Sequence, residues 1–147
     1  MKGDGSGMAA CIENLGRDKG SHWEGRMIPK LFPGVTYCRQ VMIDPNEDRT
    51  VYLATGVGGG SAMSVIETGS LFCSRDLGES WFTIGLCDNP TSLMYQVALN
   101  SKVSINIDCG NRDGSLYSSY DRGRSWSRAD VAGEISRSCH VYLMTCG

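Results

Sequence analysis

Apolar residues along this chain come in short runs, and no segment sustains the 3.6-residue period of an amphipathic helix. The runs are rich in β-branched and aromatic residues and are punctuated by Asp, Asn, Gly and Pro, which favour tight turns. Two sets of four strands follow from this pattern. The first set covers about Cys38–Ile43, Val51–Thr55, Ser70–Arg75 and Ser80–Ile84. The second covers about Tyr95–Leu99, Val103–Ile107, Ser115–Tyr120 and Ser125–Ala129. Short consecutive strands joined by tight turns pair antiparallel, because parallel partners need crossovers of about a dozen residues or more.

The two sets are copies of one unit. Ser74-Arg75-Asp76-Leu77-Gly78-Glu79-Ser80-Trp81 and Ser119-Tyr120-Asp121-Arg122-Gly123-Arg124-Ser125-Trp126 both read S-x-D-x-G-x-S-W. Composition alone would produce such a match at roughly a few starting positions in a million. The flanks agree as well: Gly69-Ser70-Leu71-Phe72 precedes one copy and Gly114-Ser115-Leu116-Tyr117 the other, with Gln40 and Gln96 in equivalent places upstream. A worn third copy, Asp18-Lys19-Gly20-Ser21-His22-Trp23, carries Gly16 at the serine position, and Ala9–Ile12 reads as the remnant of the strand leading into it. Repetition organises the chain into a partial unit with linker over 1–35, a first blade over 36–90, a second over 91–132 and a non-repeat tail over 133–147.

Each fixed position of the octapeptide serves the reversal between the third and fourth strands. Asp76 and Asp121 accept backbone N–H groups in the turn, and Ser74 and Ser119 add a second side-chain bond. Gly78 and Gly123 supply positive φ, and Trp81 and Trp126 bury an apolar face against the sheet. These octapeptides resemble the Asp boxes, or BNR repeats, of the sialidase-type β-propellers. The blades around them are similar to those of YVTN-like proteins, whose relatives include photosystem assembly factors, sortilin-type ectodomains and xyloglucan-degrading glycosidases. The resemblance implies an all-β fold, a partial β-propeller of four-stranded antiparallel meander blades with Asp-box turns. It also implies that the Asp box is a structural turn remote from any active site. Residues Arg26-Met27-Ile28-Pro29 are a distant echo of the aromatic-Arg-Ile-Pro segment that the sialidase likeness would require.

Meander geometry puts the turns between strands one and two and between strands three and four on one edge of each blade. The Asp boxes therefore share an edge with Asp44-Pro45-Asn46, and a ligand site belongs on the opposite edge. Tyr37, Arg39, Glu67, Asp88, Tyr95, Arg112 and Asp113 are the candidate ligand face, with Asn89 and Asp108 beside them. From Gln40 to Ser74 is 34 residues and from Gln96 to Ser119 is 23, so the first blade carries 11 more, of which about seven are assigned to the loop Gly56–Thr68. Loops on a rigid scaffold are where function is usually placed. Glu67 and Asp113 would suit a glycosidase acid–base pair if they stood about 5–10 Å apart.

Composition narrows the partners. The 147 residues carry a net charge of −2 and a pI near 5.6, which excludes a basic nucleic-acid footprint. No run approaches the ~18 apolar residues of a membrane helix, and the N-terminal residues lead into no export signal. Seven scattered cysteines without a C-x-x-C pair, and histidines only at 22 and 140, argue against zinc and for free thiols in a reducing, cytoplasmic setting. No metal and no cofactor is expected. Propellers close a ring of about four to eight blades, so two blades and part of a third predict a portion of a longer ring, one completed by self-association or by another chain, or a small two-sheet stack. The function expected is a non-catalytic binding or assembly module, with a carbohydrate as the candidate ligand. The alternative is the remnant of a glycoside hydrolase.

Overall fold

The computed structural model describes residues 12–15, 21, 24–35, 37–57, 68–100, 102 and 105–130. Among the described residues three antiparallel sheets follow one another. The first is a hairpin of β1 (Ile12–Leu15) and β2 (Glu24–Met27), followed by one helical turn, α1 (Ile28–Leu31). The second is the meander β3 (Tyr37–Ile43), β4 (Val51–Val57), β5 (Thr68–Ser74) and β6 (Phe82–Ile84). The third is the meander β7 (Met94–Leu99), β8 (Ile107–Asn111), β9 (Ser115–Ser119) and β10 (Ser127–Asp130). The described chain is all-β apart from α1, and the two four-stranded meanders are its two blades.

Repeat equivalence is written into the pairing. Ladder register skips Arg39 in the first blade and Tyr95 in the second, so Gln40 and Gln96 each follow a β-bulge at the same place. Val51 pairs with Ile43 and Ser74, as Ile107 pairs with Leu99 and Ser119. That register corrects the expected strand at Val103–Ile107: the second strand of blade two is Ile107–Asn111, and Ile105 lies in the preceding turn. Val51 to Ser74 spans 23 residues and Ile107 to Ser119 spans 12, so all 11 extra residues, not seven, lie between β4 and β5. In the β1–β2 hairpin the residue before the serine position, Leu15, pairs with the residue after the tryptophan position, Glu24. Cys73 pairs with Phe82 and Ser118 with Ser127 in the same relation. The strand leading into the worn copy is thus Ile12–Leu15, three residues later than Ala9–Ile12, while that copy's motif, except Ser21, falls outside the described residues.

Both faces of blade one are packed, one by the segment after α1 and the other by blade two. Phe32 and Val35, just after α1, pack with Leu53 on the first face of blade one, and Phe72 and Trp81 close around them. Ring centroids lie 4.2 Å apart for Phe32 and Phe72 and 5.6 Å apart for Phe32 and Trp81. The opposite face of blade one presents Tyr52, Ala54, Leu71, Cys73 and Ile84 to Met94, Val97, Ile107, Cys109 and Tyr117 of blade two. A polar clasp crosses this apolar layer, since the Val97 N–H donates to the Gln40 side-chain oxygen at 2.7 Å. Gly56 and Gly69 lie opposite each other in the β4–β5 pair, and the inter-blade connection runs directly over them.

Thiol chemistry follows from this packing. Cys73 and Cys109 are buried while Cys87 is exposed. Burial pushes the Cys73 thiol up to about 11 and the Cys109 thiol higher still. Iodoacetamide at neutral pH is therefore expected to alkylate Cys87 in the native protein and to reach Cys73 and Cys109 only after unfolding, as peptide mass mapping would show. Fast native labelling of Cys109 would contradict the inter-blade packing.

Candidate functional site

The two octapeptides fold identically. Ser74 Oγ accepts the Gly78 N–H at 2.7 Å and lies 2.7 Å from Asp76 Oδ1, to which it donates. Asp76 in turn accepts the Ser80 N–H at 2.8 Å and the Ser80 hydroxyl at 2.5 Å. Asp121 accepts the N–H groups of Arg124 and Ser125 at 3.0 and 2.8 Å and the Ser125 hydroxyl at 2.5 Å. Both tryptophan indoles donate to the motif glycine carbonyl at 3.1 Å. The glycines are not alone in left-handed backbone: Leu77 and Arg122 precede them at φ 59° and 61°, so each turn holds two consecutive positive-φ residues.

These bonds hold both carboxyls well below their usual range, at about 2, with the Ser80 and Ser125 hydroxyls as the leading causes. A carboxylate with a lowered folded-state value stabilises the fold fully above its unfolded value of about 4. That contribution disappears as pH falls toward 2. Wild-type protein is therefore expected to lose urea resistance between about pH 4 and pH 2 more steeply than an Asp76→Asn, Asp121→Asn double variant. Parallel curves for the two proteins would show that the turns do not respond to their carboxylates.

As expected from the meander, the octapeptides share an edge with the turns between first and second strands. Leu77 N donates to Arg49 O, and Arg122 N to Ile105 O, each at 3.0 Å. Arg122 also pairs with Glu47 across the blades. The opposite edge is built from the β4–β5 and β8–β9 ends and the inter-blade connection. Here Arg112 N donates to Leu93 O at 2.9 Å, and Asp113 N to the buried Ser92 hydroxyl at 3.2 Å. The turn itself is set by Asn111, whose side-chain oxygen accepts the Ser115 N–H at 2.8 Å, and by Gly114 at φ 89°. Sequence reasoning passed over Ser92 and Asn111, although the Asn111-Arg112-Asp113-Gly114 string carries a turn signal.

Three of the candidate residues meet. Both bulged positions, Arg39 and Tyr95, reach the same place between the first strands of the two blades. The Arg39 guanidinium lies 4.7 Å from the Tyr95 ring centroid and 6.0 Å from that of Tyr37, and donates to the Tyr37 hydroxyl at 2.9 Å. Tyr95 is buried, Tyr37 half-buried and Arg39 exposed, so the cluster presents the Arg39 side chain and part of Tyr37 at an accessible edge, with Tyr95 beneath them. Arg112 Nε and Asp113 Oδ1 lie 3.8 Å apart on the β8–β9 turn.

The remaining candidates are placed differently. Asp88 accepts the Tyr117 hydroxyl at 2.8 Å and Arg128 Nη1 at 2.7 Å, and the Arg128 bond, then that of Tyr117, lowers its pKa. Asp108, expected in a loop, lies within β8 and accepts the Ser118 hydroxyl at 2.5 Å. Asn89 is exposed between the blades. Glu67, most of the loop Gly56–Thr68 and the tail 133–147 lie outside the described residues. Among the described residues no three His, Cys, Asp or Glu side chains come together to hold a metal ion, and no helix is long and apolar enough to cross a membrane.

No family model matches the chain. It is similar to the xyloglucanase Xgh74A of Acetivibrio thermocellus, with 25% identity over 135 residues, covering 74% of this chain and 15% of that protein. Among solved structures it resembles a GH74 enzyme of Niastella koreensis, with a TM-score of 0.56 and 16% identity over 78% of this chain and 17% of the other. An ancestral GH74 enzyme matches with a TM-score of 0.54 and 20% identity, over 75% of this chain and 14% of its own. The chain thus spans about a seventh of the length of the relatives it matches. Two packed four-stranded meanders with neighbours of this kind are a partial β-propeller.

Proposed function

We propose that this chain is a glycan-binding portion of an Asp-box β-propeller, and that its described residues bind their ligand without cleaving it. The observation that carries this reading is the Tyr37–Arg39–Tyr95 cluster, assembled by two equivalent bulges on the edge away from the octapeptides. The half-buried Tyr37 beside the exposed Arg39 guanidinium, which rests on the buried Tyr95 ring, offers an aromatic edge and hydrogen-bonding groups together, which suits a polyhydroxylated ring. The xyloglucanase likeness supports a β-glucan chain as the ligand. The octapeptides support the Asp-box assignment through their duplicated bond pattern, and in this role they hold the hairpins on the far edge.

Titration calorimetry with a xyloglucan heptasaccharide tests the reading. Arg39→Ala or Tyr37→Ala is expected to weaken binding by about 1 kcal/mol, roughly fivefold, with the thermal midpoint little changed. Undiminished binding in both variants would remove the cluster from the site. The xyloglucanase similarity also favours a second reading, in which Asp113 and Glu67 act as a glycosidase acid–base pair. A general acid must stay protonated near neutral pH, and Asp88, drawn the other way by Arg128 and Tyr117, is unsuited to that part. Release of reducing ends from xyloglucan that Asp113→Asn abolishes would establish the catalytic reading over the binding one.

A further inference from the structure

Where the two blades depart from their shared pattern, blade two carries a concavity. Beside the second octapeptide is a concavity of about 240 Å³ lined by Ser118, Tyr120, Asp121, Ser125, Trp126 and Ser127. Repeat equivalence identifies what occupies the same place on blade one. Cys73, Arg75 and Phe82 stand where Ser118, Tyr120 and Ser127 stand, and the Arg75 guanidinium lies 5.4 Å from the Phe82 ring centroid, covering it. Blade two has a hydroxyl in place of the phenyl ring and a tyrosine in place of the arginine. The octapeptide's fixed residues serve the turn in both blades, so its variable second position and the two exchanged strand positions distinguish the cavity.

Part of this place remains open when another sheet packs alongside: Cys73, equivalent to Ser118, is buried against blade two, whereas the outer position stays accessible. Phe82 is still 45% exposed although blade two covers the face of blade one to which it belongs. The equivalent position on blade two is therefore a rim position, not a buried inter-blade one. Tyr120 is 64% exposed, and the half-buried Trp126 forms a second aromatic wall. Asp121 contributes little net attraction for a cation, because both its oxygens already accept donors from Ser119, Arg124 and Ser125. What is left is two aromatic side chains ringed by short hydroxyls, with no cationic group in the lining. The volume is below the ~300–1,000 Å³ of a drug-sized pocket and suits a single small ring.

We infer that this rim cavity is a second ligand site, taking a pyranose ring of an uncharged saccharide against Tyr120 and Trp126. The inference stands apart from the Tyr37–Arg39–Tyr95 reading, lying on the opposite edge of the blades. Cellotetraose titrated into the full chain, followed by the indole N–H resonances in ¹H–¹⁵N NMR, tests it. The Trp126 signal should shift on addition while that of Trp81, its equivalent on blade one, should not. A Tyr120→Arg, Ser127→Phe double variant installs the pair that blade one already accommodates, and it should weaken the Trp126 response at least about tenfold. Tyr37→Ala should leave that response unchanged, which separates this site from the first. A silent Trp126 resonance, equal shifts at Trp81 and Trp126, or an unaltered response in the double variant would each overturn the inference. So would loss of the Trp126 shift in Tyr37→Ala.

Discussion

Replacing Gly69 with alanine is expected to destabilise the protein by about 1–3 kcal/mol, the range for forcing an extra methyl group into a filled space. A Cβ at this position would lie 2.5 Å from the Ser92 carbonyl oxygen and 2.8 Å from the Met94 nitrogen. Both are backbone atoms, so no rotamer change relieves the clash and the whole inter-blade connection must move. Opposite it, a Cβ on Gly56 would meet the Leu93 side chain at 2.4 Å and the Thr68 carbonyl at 2.5 Å. The glycine pair is thus a groove in blade one into which the connection is laid. Gly85 is the control, with nothing within 4 Å of its added Cβ. Gly85→Ala should leave the urea midpoint near that of wild type, and equal midpoints for the two variants would show that the connection does not press on β5. Because Met94 immediately precedes Tyr95, displacement at Gly69 should also draw Tyr95 away from Arg39 and weaken glycan binding.

The second large effect is expected at Tyr117. This ring is fully buried in the layer between the blades, and its hydroxyl emerges to bond Asp88. Tyr117→Ala removes an aromatic group from a packed interior, at a cost of about 3–5 kcal/mol. Tyr117→Phe keeps the ring and loses only the hydroxyl bond to a carboxylate, a cost of about 1–2 kcal/mol. Asp88 would keep its Arg128 partner, so its pKa should rise only part of the way back. Urea unfolding of the three proteins, with carboxyl NMR on Asp88, checks both parts. If alanine and phenylalanine cost the same, the ring's burial contributes nothing and the inter-blade layer is not the core of the molecule.

Regular strands were legible where side-chain pattern and ladder agree. β3, β4, β5 and β7 fall within a residue or two of their expected places, because Val41-Met42-Ile43 and Val51-Tyr52-Leu53 carry strong β preferences next to clear turns. β8 was misplaced for the opposite reason. Val103-Ser104-Ile105 has the richer β composition, whereas Ile107-Asp108-Cys109-Gly110-Asn111 contains three residues that strands disfavour. Only the ladder, with Ile107 across from Ser119, overrides that local preference. Members of the candidate face could be chosen from the meander alone, since alternating turns decide which edge a residue occupies. Their meeting could not, because a bulge changes side-chain direction by one residue and leaves little trace in composition.

The doubled octapeptide determined by itself the unit of the fold and the turn each motif closes, since that turn is held by hydrogen bonds within four residues; the antiparallel order followed from the short strands and tight turns around it. Tertiary structure alone decided what lies between the units. Gly56 and Gly69 receive the connection, Gln40 clasps Val97, and Arg39 reaches Tyr95 because two sheets lie face to face at one particular offset. The same holds for the rim cavity, where alike turns set Arg75 over Phe82 on one blade and a concavity beside Tyr120 on the other. Local hydrogen bonding is encoded in neighbouring residues, whereas contacts across sheets depend on steric fit between residues tens of positions apart.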